Sequence, residues 1–241
     1  MRPPLFLAGP TAVGKSAVAL RLAERMGGEI ISVDSMQVYR GLDVGTAKPS
    51  PAERQRVPHH LIDVVELIES FDAAAFVRLA TIAVKEIQAR GKVPIFCGGS
   101  GLYFKAYLQG LGEAPSSDPV LRTELEATPL PDLLRELEQQ DPATFQKIDR
   151  QNPRRVIRAV EVIRQTGRPF SAQRAEWQRE TSNIQHSTSN AQFGLYRTSE
   201  DLRQRIDARV DEMFRRGLVA ETEQLLQRGL AQNRTAMQAI G

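Results

Sequence analysis

The stretch that decides the fold is Leu5-Phe6-Leu7-Ala8-Gly9-Pro10-Thr11-Ala12-Val13-Gly14-Lys15-Ser16. Its first four residues form a short apolar run, the pattern of a parallel strand buried on both faces. Gly9 through Ser16 then has the G-x-x-x-x-G-K-S spacing of a phosphate-binding loop. In such a loop the glycines let backbone N–H groups wrap a phosphate, and the helix that begins at the lysine adds a favourable dipole. Lys15 would neutralise phosphate oxygens, and Ser16 would offer its hydroxyl to Mg²⁺. The motif needs a strand before it and a helix after it. The helix is supplied by Val18, Leu20, Leu22 and Ala23 at helical spacing, stopped by Gly27-Gly28.

Outward from the loop, strand and helix patterns alternate. Glu29-Ile30-Ile31-Ser32-Val33 reads as a second strand and ends at Asp34, on the sheet edge where open α/β folds bind ligands. Residues 35–60 look irregular, with Gly41, Gly45, Pro49, Pro51 and Pro58; so long a stretch in a compact domain is usually functional. Leu61-Ile62-Asp63-Val64-Val65 is expected to form another short strand. Asp72 caps a helix with Phe76, Leu79, Ala80, Ala83, Val84 and Ile87 on one face and Gly91 beyond its end. Val93-Pro94-Ile95-Phe96-Cys97 is the next strand, ending in Gly98-Gly99-Ser100-Gly101. This alternation predicts a parallel sheet.

After Gly112 the pattern changes. Pro115-Ser116-Ser117-Asp118-Pro119 reads as a linker, and residues 119–180 carry helical periodicity without a strand. Leu121, Leu125, Leu133, Leu134 and Leu137 suit amphipathic helices. Asn152-Pro153 opens another, with Val156, Ile157, Val160 and Ile163 as its stripe and Arg154 and Arg158 on a shared face outside it. Thr181 to Gln192 is polar, as a loop would be. Phe193-Gly194-Leu195-Tyr196 returns the chain to the sheet, and a long helix follows with Leu202, Ile206, Val210, Met213 and Phe214 on its face, up to Gly217. The expected fold is therefore α/β, a P-loop NTPase-like parallel sheet core with an all-helical insertion domain. The core would take residues 1–112 and 193–241, and the insertion residues 113–192.

Composition narrows the class. A single cysteine, Cys97, excludes an internal disulfide framework and a cysteine-rich zinc site. No apolar run approaches the roughly 18 residues of a membrane span, and Met1-Arg2-Pro3-Pro4 runs straight into a strand with no room for a signal peptide. A cytoplasmic enzyme without membrane association is the expectation. Net charge is +3, but Phe145 to Glu180 holds nine basic and four acidic residues, so the positive charge is local. That window is either a polyanion-binding surface or a solvated arginine-rich helix face.

A phosphate loop alone does not choose between an NTPase, a kinase and another phosphate-handling enzyme. No apolar strand ends in an acid of the Walker-B kind, since Val93 to Cys97 runs into glycine and serine. Asp34 and Asp63 are the candidate acids at strand ends. Asp34 could accept a proton from an incoming nucleophile, or it could cap its own loop, the commoner use of an Asp before Ser.

Longer strings carry more. Gly9 to Ser16, Ser32-Val33-Asp34-Ser35-Met36-Gln37-Val38-Tyr39-Arg40-Gly41, Gly45-Thr46-Ala47-Lys48-Pro49, His59-His60-Leu61-Ile62-Asp63 and Gly98-Gly99-Ser100-Gly101-Leu102-Tyr103 together resemble the tRNA dimethylallyltransferase family. Asn152-Pro153-Arg154-Arg155 through Arg158-Ala159-Val160-Glu161, and Arg205-Ile206-Asp207-Ala208-Arg209 through Gly217-Leu218, are similar to it as well. The resemblance implies transfer of a dimethylallyl group from dimethylallyl diphosphate to the exocyclic amine of the adenosine 3′ to the anticodon in tRNA. By the same resemblance, Gly9, Pro10, Thr11, Ala12, Val13, Gly14, Lys15 and Ser16 hold the diphosphate, with Mg²⁺ on Ser16. Arg205 or Arg209 reaches it from the late helix. Asp34 is the general base, and Thr11 and Ser100 lie near the reacting groups, Ser100 alternatively satisfying only loop backbone. Asp34, Ser35, Met36, Gln37 and Ser100 meet the extruded adenosine, with the Gln37 amide suited to a base edge. Arg122, Arg154, Arg155, Val156, Ile157 and Arg158 match tRNA-contacting positions in the insertion, although Arg122 also reads as an exposed helix arginine. His59 and His60 are expected to make structural hydrogen bonds.

The implied partners are the tRNA anticodon stem-loop and dimethylallyl diphosphate, the protein acting as a monomer. The ATP-binding label that the loop attracts would describe its shape rather than its substrate. The family continues beyond Ala239-Ile240-Gly241, so the resemblance implies a C-terminally truncated chain, and the Cys/His zinc element of eukaryotic relatives is absent from this sequence. The competing readings are a P-loop small-molecule kinase using ATP, prenyl transfer to free adenine nucleotides, and a non-catalytic RNA-binding protein.

Overall fold

A computed structural model describes residues 2–112, 114–173, 191–233 and 235–239. In chain order the elements begin with strand β1 (Leu5–Ala8), helix α1 (Lys15–Met26), β2 (Gly28–Val33), α2 (Pro51–Arg56), β3 (His59–His60), α3 (Ala73–Ala89), β4 (Val93–Gly98) and α4 (Gly101–Gln109). Four helices follow: α5 (Pro119–Ala127), α6 (Leu130–Gln140), α7 (Pro142–Lys147) and α8 (Pro153–Thr166). The chain then forms β5 (Ala191–Gly194), α9 (Ser199–Arg215) and α10 (Leu218–Gln227). Two compact units result: residues 1–108 with 183–241, and residues 109–182. Most of the polar stretch expected as a loop, and Arg174, Glu176, Arg179 and Glu180 of the basic window, lie outside the described residues.

In the first unit five strands form a parallel sheet in the order β3-β2-β4-β1-β5. Successive residues of a strand face opposite sides, and here both sides are covered. Phe6, Ile31, Val33 and Phe96 pack with Phe76, Ala80 and Ile87 of α3. Leu7, Ile30, Ile95 and Cys97 pack with Ala19, Leu20 and Ala23 of α1. Burial on both faces explains why β1 and β4 read as continuous apolar runs. At the C-terminal end of β4, a Cβ on Gly98 would collide with the Val33 carbonyl, so glycine allows the two strand ends to meet closely.

Two expectations change. The strand expected at 61–65 forms two residues earlier, at His59–His60. Leu61 (φ 61°) and Asp63 (φ 57°) adopt left-handed backbone that a strand does not permit, and only Val65 makes a bridge, to Tyr39. Within the irregular stretch, Ser50 and Glu53 form a capping box with Pro51 at the first helical position, which starts α2.

Among its described residues the second unit forms helices joined by short loops, and no strand. Leu125, Leu133, Leu137, Val156, Val160 and Ile163 make its core. Asp118, Asp141 and Asn152 cap the starts of α5, α7 and α8 with side-chain oxygens, and Gly167, left-handed at φ 67°, ends α8. Arg164 ties α8 to α6 through Glu136 and to α5 through Glu124.

Candidate active site

The loop between β1 and α1 turns twice through left-handed backbone, at Ala12 (φ 63°) and Gly14 (φ 102°). Such alternation turns successive N–H groups into one concavity. The start of α1 carries no side-chain cap, so its first-turn N–H groups add to the same positive surface. Beside them is a cavity of about 440 Å³ lined by Ala12, Gly14, Lys15, Ser16, Arg205 and Arg209 among others. The Lys15 ammonium donates to the Pro10 carbonyl at 2.7 Å. Thr11 sits exposed at the tip of the loop.

The late helix supplies the far wall. Arg205 Nε donates to the Ala12 carbonyl at 2.8 Å, and Arg197 Nε to the Val13 carbonyl at 2.9 Å. Arg197 is held in turn by Asp201 at 2.6 Å. These bonds tie two loop carbonyls to Arg205 of α9 and to Arg197 just ahead of it. Arg197 was not among the expected site residues, and its signal is only one more arginine ahead of α9. The two arginines that the sequence left open now differ in place: Arg205 is exposed and bonded to the loop, whereas Arg209 is partly buried. Burial lowers the Arg209 pKa, opposed by the Asp34 carboxylate. Burial likewise lowers that of Lys15; Cys97 and Asp34 oppose the shift, and Arg209 adds to it. Lys15, Arg209 and Asp34 thus share one electrostatic environment. The Cys97 thiol beneath them is pushed up to about 11 by burial.

Asp34 follows β2 directly. Its Oδ1 accepts from the Met36 N–H at 2.8 Å and the Gln37 N–H at 3.2 Å, so the loop-capping reading is realised through this oxygen. Ser35 and Met36 are partly buried in this turn. Gln37 differs from the expectation of an amide held ready for a base edge. Its Oε1 accepts from the Ser32 hydroxyl at 2.9 Å, and its Nε2 donates to the carbonyls of Thr46 at 3.1 Å and Ala47 at 3.4 Å. The amide therefore staples the loop together. Ser100 sits between β4 and α4; its N–H donates to Val33, and its carbonyl accepts from Tyr103 and Phe104.

One buried lysine and its more exposed charged partners brace the 35–63 segment. Lys48, 6% exposed, donates to the Tyr39 carbonyl at 2.6 Å and to Asp43 at 2.8 Å, and also pairs with Asp63. Arg54 takes the other Asp63 oxygen at 2.7 Å. Asp63, a candidate acid by sequence, is thereby an ion-paired brace: burial would raise its pKa, but Lys48 and Arg54 outweigh this and lower it. His60 bonds Glu29 at 2.7 Å and His59 bonds the Val57 carbonyl at 2.7 Å, the structural use expected of both.

In the helical unit the expected tRNA-contact residues separate. Arg154 and Arg155 are exposed on the first turn of α8. Val156 and Ile157 are buried, at 0% and 8% exposure. This corrects their expected place in a contact surface, because they lie on the stripe that α8 turns into its core. Arg158 and Arg122 both bond Glu161, at 2.7 and 2.8 Å. Glu161 is fully buried and also accepts from the Ser117 hydroxyl at 2.5 Å. Arg158 reaches the Pro115 carbonyl as well. These two arginines hold the 115–118 turn onto α8.

Sheet, loop and arginine-bearing helix together define an α/β protein of the phosphate-loop class. More narrowly, the chain belongs to the IPP transferase family, whose pattern it matches over residues 37–241. It is 47% identical over 241 residues to tRNA dimethylallyltransferase 1 of Trichlorobacter lovleyi, covering 98% of this chain and 78% of that one. It is 44% identical over 246 residues to tRNA dimethylallyltransferase 2 of Geotalea uraniireducens, covering 98% and 76%. Among solved structures it resembles the tRNA isopentenylpyrophosphate transferase of Bacillus halodurans (38% identity, TM-score 0.63, 98% of this chain and 74% of that one). It also resembles a eukaryotic dimethylallyltransferase acting on tRNA (30% identity, TM-score 0.72, 95% and 56%).

Proposed function

We propose that the chain transfers a dimethylallyl group from dimethylallyl diphosphate to the exocyclic amine of the adenosine 3′ to the anticodon in tRNA, releasing diphosphate. The observation that carries this reading is its identity of 44–47% with tRNA dimethylallyltransferases across 98% of its length. The site's chemistry agrees with it. The amine nitrogen forms a bond to the first carbon of the prenyl group as the bond from that carbon to diphosphate oxygen breaks, and the nitrogen then loses a proton. An adenine amine is a weak nucleophile, so the leaving group must be stabilised and the proton accepted.

Loop N–H groups, Lys15, Arg209 and Arg205 supply positive charge where the diphosphate gains negative charge. Thr11 offers its hydroxyl to the bridging oxygen, and Ser100 lies beside the acceptor. Asp34 takes the proton on the oxygen that does not cap the turn. The Ser16 hydroxyl, exposed at the start of α1 beside Lys15, fits a Mg²⁺ held otherwise by phosphate oxygens and water, the coordination that this ion prefers. When bound, Mg²⁺ would neutralise charge on the diphosphate. In the helical unit, Arg154 and Arg155 contact tRNA phosphates, which position rather than specify, while Arg122 and Arg158 shape the turn beside them. The protein acts as a cytoplasmic monomer.

The test is incubation with dimethylallyl diphosphate, Mg²⁺ and unmodified tRNA, followed by mass spectrometry of the nucleosides. An adenosine carrying one dimethylallyl group in place of a hydrogen is the expected product. Phosphoryl transfer from ATP to an acceptor, with no prenylated adenosine, would replace this reading with the kinase one.

A further inference from the structure

Glu221, in the first turn of α10, receives three backbone N–H groups from a loop far away in sequence. Its Oε2 accepts from Asp43 at 3.1 Å and from Val44 at 2.7 Å, and its Oε1 from Gly45 at 3.0 Å. Bonds from N–H groups to a carboxylate are stronger than neutral ones, and three on one side chain fix both of its oxygens. The approach is close: a Cβ on Gly45 would lie 3.2 Å from Leu218 Cδ1.

The connection continues in both directions. From Gly45 the loop runs into Thr46 and Ala47, whose carbonyls hold the Gln37 amide, and the Gln37 N–H binds the Asp34 carboxylate. Behind Glu221, Gly217, left-handed at φ 91°, caps the start of α10 two residues after the end of α9, which carries Arg205 and Arg209 to the phosphate cavity. One carboxylate thus joins α10, the helix that follows α9, to the loop bearing the proposed base.

We infer that Glu221 is a positioning residue for the prenyl transfer proposed above: from α10 it sets the Asp34–Gln37 turn relative to the phosphate loop. The inference rests on that reading of the site. It requires catalysis to respond to the Glu221 joint more than diphosphate binding does, because Glu221 does not line the phosphate cavity.

Two variants of the full chain test it, each checked for native circular dichroism and melting temperature. Glu221→Gln replaces one acceptor oxygen by an NH₂ that faces backbone donors. Gly45→Ala keeps the carboxylate but presses a methyl group against Leu218. Both should lower kcat, by about 10- to 100-fold for Glu221→Gln and by less for Gly45→Ala, as displacements of reacting groups on the order of 1 Å do. KM for dimethylallyl diphosphate should stay within about twofold. A lower melting temperature with unchanged kcat per folded molecule would make the joint merely structural and overturn the inference. So would parallel changes in kcat and KM. A wild-type chain that prenylates no tRNA overturns the functional reading, and this inference with it.

Discussion

Asp34 shows why one substitution is a better probe than another. Its Oδ1 holds the Met36 and Gln37 amides, so replacement by alanine removes a proposed base and unravels its turn together. Asp34→Asn keeps an oxygen for the two N–H groups and removes only the basicity. Single-turnover prenyl transfer should fall by about 10²- to 10⁴-fold in this variant, the range expected for a general base, while tRNA affinity is retained. An unchanged rate would remove Asp34 from the chemistry. At this scale the loop turn between β1 and α1 and the turn capped by Asp34 were legible, because both follow from local strings. The partners of Gln37 were not, because Thr46 and Ala47 come within reach only through a loop whose path includes Ala47 at φ 47°. Glu221 was hidden for the same reason: nothing in its own neighbourhood points to residues 43–45.

The helices divide the expected RNA surface more finely than charge counting could. The apolar stripe of α8 was readable from Val156, Ile157, Val160 and Ile163. Glu161 lies four residues after Ile157, hence on the buried side, and that spacing alone could have marked it as a paired internal charge. Arg155→Ala should weaken tRNA binding and lower the salt slope of log K by about 1, the signature of one lost phosphate contact. Arg158→Ala should behave differently, because it leaves Glu161 buried with one cation fewer. A melting temperature reduced in the free protein is expected there, and removal of one partner of a buried pair costs up to about 3–5 kcal/mol. Thermal denaturation of both variants beside tRNA titrations at two salt concentrations separates the two roles. A stable Arg158→Ala protein would return Arg158 to the RNA-facing set. The start of α2 was also readable, since Ser50-Pro51-Ala52-Glu53 is a capping-box string; the glycines and prolines around it drew attention to the loop instead. Ser50→Ala should lower stability by about 1 kcal/mol.

Across the whole molecule, the alternation of strands and helices and the return to the sheet near residue 193 were legible. The position of β3 was not, because its two residues are set by pairing with Ile30 and Ile31 rather than by any pattern of their own. Stability should fall on acidification in two stages. Burial lowers the His59 pKa, so the unfolded chain protonates first as pH drops below about 6.5, and stability begins to decline there. Glu29 is lowered chiefly by its Arg90 hydrogen bond. Asp141 is lowered because the Thr144 and Ser171 hydrogen bonds outweigh its burial. Both contribute stability above their unfolded pKa values, near pH 4, that is lost as pH falls through the folded ones. Chemical denaturation across this pH range should show both stages, and His59→Asn should flatten only the upper one.

The pairing of β1 with β5 has a consequence for biosynthesis. When β1, β2 and β4 have left the ribosome, the outer side of Leu5–Ala8 has no neighbour, because its partner Ala191–Gly194 lies some ninety residues further along and takes on the order of 5–20 s more to be made. During that delay an apolar parallel strand presents unpaired backbone groups, the kind of edge that recruits other chains. The nascent chain is most exposed to aggregation, and most in need of a holding chaperone, while its helical unit is being translated. A ribosome-stalled chain ending before residue 191 should therefore bind such a chaperone more strongly than one extended past β5.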